Sequence, residues 1–262
     1  MRVRCRLTNC CRTVPMLSDL QVDLSDASVL ARLVDLVPLS LLGGVLGLDV
    51  VSFPQAMISR PIVAATLGGA FAGDAMAGLI CGAALECLAV ESLPVGASRY
   101  PEWGSASTVA GVLAAQGAAG SIIPQAGSLA IAVVIGIFTA WVGGITMVRH
   151  RRLIASWARP RLDRLAAGNV RTMMSLQLFG ITLDFVRGTL LTLFMLIPTL
   201  WFTDWANAHW NLNADITKAV VVTTVAAVAA AAIWKDFHAI VGTRRLFLAA
   251  LALGTVGVML RG

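Results

Sequence analysis

Between Ser59 and Ala97 an apolar stretch carries four ionisable side chains, Arg60, Asp74, Glu86 and Glu91, together with six glycines. A carboxylate accepts several strong hydrogen bonds, which suits it to holding a polyol, and it can also carry a proton. A charge in hydrocarbon is costly, so such groups face a protein interior or a watery cavity. Pro61, Pro94 and the glycines permit broken helices, which occur at membrane depth only where they line a cavity. The stretch predicts a polar solute site built inside a membrane domain.

Other polar residues extend that candidate set. Gln55 lies just upstream, and its amide both donates and accepts. Glu91 and Glu102 flank a Pro94-Val95-Gly96 turn. The expected solute ligands are therefore Gln55, Asp74, Glu86, Glu91 and Glu102. Each has a structural alternative: a helix N-cap at the Gly73–Asp74 break for Asp74, an ion pair with Arg60 or Arg99 for Glu86, a loop carboxylate for Glu91 and Glu102, and a cap for Gln55. Asp49, Arg60, Asp184 and Arg187 are assigned structural or gating roles. Asp49 reads as an interfacial cap, and Asp184 and Arg187, three apart, share one helix face. His150, His209 and His238 sit apart from other ligand types, so no metal site is expected. Cys5, Cys10 and Cys11 cluster without a nearby histidine, while Cys81 and Cys87 lie in apolar runs. No phosphate-binding glycine loop and no nucleophile constellation is present, so neither a cofactor nor a catalytic residue is expected on this chain.

The elements that must position these residues follow from composition. Hydrophobic residues make up 58% of the 262-residue chain and charged residues 13%, about half the charge of an ordinary soluble domain. The expected fold is all-α: a polytopic integral membrane protein with about seven to eight hydrophobic segments, one of them re-entrant or broken. Apolar runs fall near 29–48, 61–80, 83–97, 107–123, 126–148, 173–203, 217–234 and 243–260. Most approach the roughly 20 residues of a spanning helix and exceed barrel strands. The run at 83–97 is short and reads as the re-entrant piece; 173–203, interrupted by Asp184, Arg187 and Gly188, reads as one tilted helix or two shorter ones. Residues 1–28 form an N-terminal segment, with Met16 an alternative start, and 29–262 a single translocation domain. The Arg-bearing start is followed by no apolar run before Val29, which argues against a cleaved signal peptide.

Topology follows from the arginines. The net charge of +6 rests almost wholly on them, since Lys218 and Lys235 are the only lysines. They concentrate between apolar runs, which indicates the positive-inside rule rather than nucleic acid. Arg149–Arg171 holds seven arginines against one aspartate and is placed in the cytoplasm, either as plain topology-setting charge or as an amphipathic surface helix. Thr203–Asp215 has neither Lys nor Arg and is placed outside, with Trp201, Trp205 and Trp210 in an interfacial belt. Lys235–Arg245 returns inside. With the start also cytoplasmic, the five runs before Arg149 must include one that does not cross, and 83–97 is the natural choice.

The run FPQAMISRPIVAATLGGAFAGDAMAGLICGAALECLAVESLPVGASRYPEWGSAS resembles the N-terminal signature of the membrane IIC component of mannose/fructose/sorbose-class phosphotransferase systems. The matching pieces are Ser59-Arg60-Pro61, Gly73-Asp74 with Gly78, the Gly82–Glu86 run and Pro94-Val95-Gly96-Ala97. The stretch AAGNVRTMMSLQLFGITLDFVRGTLL is also similar. Ala89-Val90-Glu91-Ser92 and Tyr100-Pro101-Glu102 depart from the family's usual sequence. The resemblance covers roughly residues 40–200. It implies a multi-pass sugar-translocating subunit of the cell inner (plasma) membrane, working with a IID membrane subunit and with cytoplasmic IIA and IIB proteins that carry the phosphoryl group. Such complexes are expected to be homo-oligomeric. Two other readings remain open: an ion- or proton-coupled secondary transporter, and a non-transporting scaffold or regulatory subunit.

Overall fold

The computed structural model describes residues 26–50, 52, 54–90, 99–117, 126–209, 214–237 and 242–261. The described residues are mostly helical and include no strand. In chain order the helices are α1 (Asp26–Leu48), α2 (Pro61–Phe71), α3 (Ala75–Ala89), α4 (Trp103–Gln116), α5 (Ala126–Ala158), α6 (Leu162–Ala166), α7 (Val170–His209), α8 (Ala214–Phe237) and α9 (Thr243–Arg261). A short 3-10 turn, Arg159–Arg161, joins α5 to α6.

Helix starts are written in the sequence. Pro61 opens α2, where its fixed φ fits and its missing N–H costs nothing. Gly73, at φ +104°, turns the chain after α2. Asp74 then caps α3 by accepting from Ala77 N at 2.9 Å. The α2–α3 break thus lies at Gly73–Asp74. This corrects the expected full span at 61–80: the segment is a hairpin of two short helices. Residues 83–89 of the expected re-entrant run are the second half of α3, and 91–97 lie outside the described residues. Helices of 11, 15 and 14 residues (α2, α3 and α4) rise about 16–22 Å, well short of a roughly 30 Å hydrocarbon core.

Those short helices pack around α4, whose residues Trp103 to Ala115 are all buried. Its sequence is small and hydroxylated, and small residues let membrane helices approach closely. A Cβ on Gly68 of α2 would come within 2.6 Å of the Thr108 carbonyl oxygen of α4. Helices α1, α5 and α7 enclose this centre. The pattern is inverted relative to a soluble protein. Glu102, Ser105, Ser107 and Thr108 are fully buried, while Val134, Phe138, Trp141 and Phe194 are at least half exposed. An outer surface of that kind suits lipid.

Two long stretches, 128–166 and 170–202, are long and apolar enough to cross a membrane. Helix α7 runs 40 residues without interruption at Asp184, Arg187 or Gly188, with Pro198 inside it, so the single-helix alternative is the observed one. Helix α5 continues to Ala158, so much of the Arg149–Arg171 segment is helical rather than loop. Its end is braced against α7 by Trp157 and Phe179, whose rings stack at 4.7 Å.

Candidate functional site

A polar nest forms where the end of α1, the start of α4 and the middles of α5 and α7 meet. Helix α7 supplies Asp184 and Arg187. Arg187 Nε donates to Asp184 Oδ1 at 2.8 Å, the intrahelical pair that three-residue spacing predicts. The pair reaches further. Ser52 Oγ, in the segment after α1, donates to Asp184 Oδ2 at 2.7 Å. Arg187 Nη1 donates to Thr146 Oγ1 of α5 at 3.2 Å. His150 Nδ1, one helical turn beyond Thr146, lies 3.8 Å from Asp184 Oδ1, too far for a hydrogen bond.

Glu102 enters from α4. It is fully buried and caps its own helix, Oε1 accepting from Ser105 N at 3.1 Å. Its backbone N–H donates to Ala140 O of α5 at 3.0 Å, which pins the start of α4 to α5. Two glycines make room for the side chain. A Cβ on Gly143 would lie 3.2 Å from Glu102 Oε2, and one on Gly47 would lie 3.3 Å from Oε1. Arg187 and Asp184 both act on Glu102 through their charges. At the nest's edge Tyr100 accepts a hydrogen bond from Arg151, whose guanidinium also lies over the Tyr100 ring at 4.7 Å.

The nest is incompletely satisfied. Glu102 Oε2, Arg187 Nη2 and His150 Nδ1 are buried without hydrogen-bond partners, as is Thr189 Oγ1 two residues beyond Arg187 on α7. A buried polar group left unpaired costs about 1–3 kcal/mol. The elements of the nest thus leave both acceptor and donor valences unsatisfied, which a neutral hydroxylated solute can use.

The expected site residues separate into two groups. Glu102 belongs to the nest with Asp184 and Arg187. Asp74 and Glu86 belong to the α2–α3 hairpin, where each is engaged. Asp74 is the α3 cap. Glu86 forms an ion pair with Arg60 and accepts from Ile62 N at 3.1 Å, so it braces the first turn of α2. This is the Arg60 alternative foreseen for Glu86; Arg99 instead lies over the Trp141 ring at 5.1 Å. Asp49 is buried and clamps the segment before α2, accepting from Ala56 N at 2.6 Å and from Ser59 N and Oγ at 3.0 and 2.9 Å. Within that clamp Gln55 and Met57 hold φ of +60° and +61°, a left-handed conformation unusual outside glycine and asparagine. Gln55 is exposed. Glu91 lies outside the described residues.

Sequence reasoning did not select Ser52, Ser105, Thr146 or His150. Ser52 and Asp184 lie 132 positions apart, and neither serine nor threonine stands out in an apolar helix. His150 carried one usable signal, its place beside the arginine run at the end of α5.

Comparison with known proteins follows the geometry. The profile of the family described as "PTS system sorbose-specific iic component" matches residues 33–230. No curated protein matches. Among solved structures, one described as "Structure of membrane protein" superposes with a TM-score of 0.56 at 18% identity, covering 91% of this chain and 95% of the other. Another contains "Mannose Transporter ManYZ and Microcin E492 (MceA) complex", with a TM-score of 0.51 at 18% identity and coverage of 88% and 92%. At that identity these two speak for the fold.

Proposed function

The chain belongs to the family of sorbose-specific IIC components of phosphotransferase systems, and from that premise we propose that it binds sugar in the nest around Glu102, Asp184 and Arg187 and passes it across the membrane. The observation that carries this reading is that Glu102 Oε2, Arg187 Nη2 and His150 Nδ1, all on the elements that build the nest, are each buried without a hydrogen-bond partner. A sugar hydroxyl donates to a carboxylate oxygen and accepts from a guanidinium N–H with the same oxygen atom. Gln55, exposed on the segment that follows Ser52, is kept as a candidate ligand from its place in the sequence. Asp74 and Glu86 position the α2–α3 hairpin, with Asp49 and Arg60 beside them; Glu91 remains a candidate ligand from its place in the sequence.

Depth supports the direction of transport. Trp201 and Trp205, both more than half exposed, suit the external belt. Asp184 and Arg187 lie 17 and 14 residues before Trp201, about 21–25 Å along α7, near the opposite edge of a roughly 30 Å core. With 149–171 cytoplasmic, the nest faces the side on which phosphorylation would trap the sugar. The phosphoryl group would be carried by cytoplasmic IIA and IIB proteins, and translocation shared with a IID membrane subunit in a homo-oligomeric, multi-pass complex of the inner membrane.

The test is sugar binding and phosphorylation by the reconstituted complex, with sorbose and mannose as first probes. Uptake that needs a proton gradient and no phosphoryl donor would favour the ion-coupled transporter. A complex assembling normally with no sugar bound would favour the scaffold reading.

A further inference from the structure

The outward face of α5 continues from apolar side chains into arginines. Val134, Phe138 and Trp141 are 62%, 50% and 54% exposed. At 100° per residue, Ile145, Arg149 and Arg152 fall within about 60° of that stripe. Arg149 and Arg152 are exposed, and α5 contains no acidic residue. Their Cα atoms stand about 12 and 16 Å beyond Trp141 along the axis, but side chains on a helix lean back toward its N-terminus, here toward the membrane. From the other side comes Arg99. Its Cγ would contact a Cβ on Gly144 at 3.8 Å, and its guanidinium lies over the Trp141 ring. Arg99 thus lies beside Trp141, with Arg149 and Arg152 further along the axis, and the three mark the two ends of a positively charged band on this face.

We propose that this face of α5 seats an anionic phospholipid, its phosphate between Arg99 and the Arg149–Arg152 pair and an acyl chain along Trp141, Phe138 and Val134. Three guanidiniums with no neighbouring carboxylate on α5 complement an anionic headgroup, and the apolar stripe directly below complements its chain. The indole of Trp141 sits at the chain–headgroup boundary, where tryptophan is enriched. The inference rests on the membrane setting of the chain and not on the sugar nest.

The experiment is native mass spectrometry of the full chain, released from nanodiscs of equal phosphatidylcholine and phosphatidylglycerol. The wild type is expected to retain phosphatidylglycerol preferentially. Each arginine near an anionic surface contributes about fivefold, so Arg149→Gln with Arg152→Gln should cut that preference by about 25-fold, and Arg99→Gln alone by about fivefold. Arg159→Gln with Arg164→Gln, at the far end of the basic segment, is the control and should change little. Circular dichroism and monodispersity identify variants that fail to fold, and Arg149→Lys with Arg152→Lys, which keeps the charge, should retain the lipid. Equal retention of both lipids by the wild type would overturn the proposal. So would an equal loss in the control pair, or displacement of phosphatidylglycerol by millimolar inorganic phosphate.

Discussion

Replacing Glu102 by glutamine separates the two tasks its carboxylate performs. Oε1 caps α4 by accepting from Ser105 N at 3.1 Å, and a glutamine carbonyl oxygen can keep that bond. Oε2 is buried without a partner, and in glutamine it becomes an NH2 donor where an acceptor stood. If a sugar hydroxyl donates to Oε2, the substitution removes a hydrogen bond to a charged group, worth about 1.5–3 kcal/mol. That is a loss of roughly 10- to 150-fold in sugar affinity. Folding should change by much less, because shape and cap are both retained. Glu102→Ala is the contrasting perturbation. It removes the cap, at about 1 kcal/mol, and empties the buried space that Gly47 and Gly143 leave for the side chain, a cavity that adds to the loss. Loss of Glu102 by alanine should therefore destabilise the domain outright. The assay is equilibrium binding of radiolabelled sugar to the purified membrane complex, with thermal melting alongside. A Glu102→Gln complex that melts normally and binds sugar with wild-type affinity would refute the placement of sugar at Oε2.

Four further outcomes are expected. Arg60→Gln and Glu86→Gln should be non-additive in a thermal-melt double-mutant cycle, with a coupling of at most about 1 kcal/mol because the pair is 34% and 20% exposed; additive effects would show that the pair does not brace the hairpin. Gly82→Ala should lower the melting temperature, since its Cβ would lie 2.7 Å from Pro61 O and 2.9 Å from Ile62 Cα, overpacking of a kind that costs about 1–3 kcal/mol; Gly254→Ala, helical and with nothing within 4 Å, should be neutral or stabilising. In a cysteine-free background, Ser156→Cys should resist an impermeant thiol reagent added to intact cells while Asn211→Cys reacts, and the reverse pattern would invert the topology. The chain reconstituted alone with a phosphoenolpyruvate source should give no phosphorylated sugar, whereas robust product would place the phosphoryl machinery on this chain.

Helix positions were legible wherever a local rule governs them. Pro61 at the first turn of α2, Asp74 after Gly73 and the long apolar run from Ala126 each fix an element through neighbours a few residues away. The hairpin was misplaced because hydropathy averages over a window that spans Gly73–Asp74, so two short helices read as one span; the capping signature at Asp74 carried the correct break. The segment after Arg149 read as loop because its charge dominates its composition, yet nothing in Arg151–Ala158 breaks a helix, and Trp157 finds a stacking partner in Phe179.

The nest was only half legible, for a different reason. Asp184 and Arg187 announce themselves as charges on one face of an apolar helix, and Glu102 as a carboxylate beside a turn. Nothing local connects them, because their meeting depends on α1, α4, α5 and α7 packing closely enough for Gly47 and Gly143 to flank one side chain. The same closeness accounts for the orphaned atoms. Ordinary packing would have paired Glu102 Oε2 or filled its place with carbon, since an apolar replacement of similar volume is often neutral or stabilising. Asp74, Asp49 and Glu86, by contrast, are consumed by caps and clamps, as carboxylates serving the fold should be. Carboxylates that hold the fold are thus distinguished from one available to a ligand by what their oxygens already accept. On that criterion Glu102, the residue first read as a loop carboxylate or a ligand, is the one whose chemistry the fold leaves unspent.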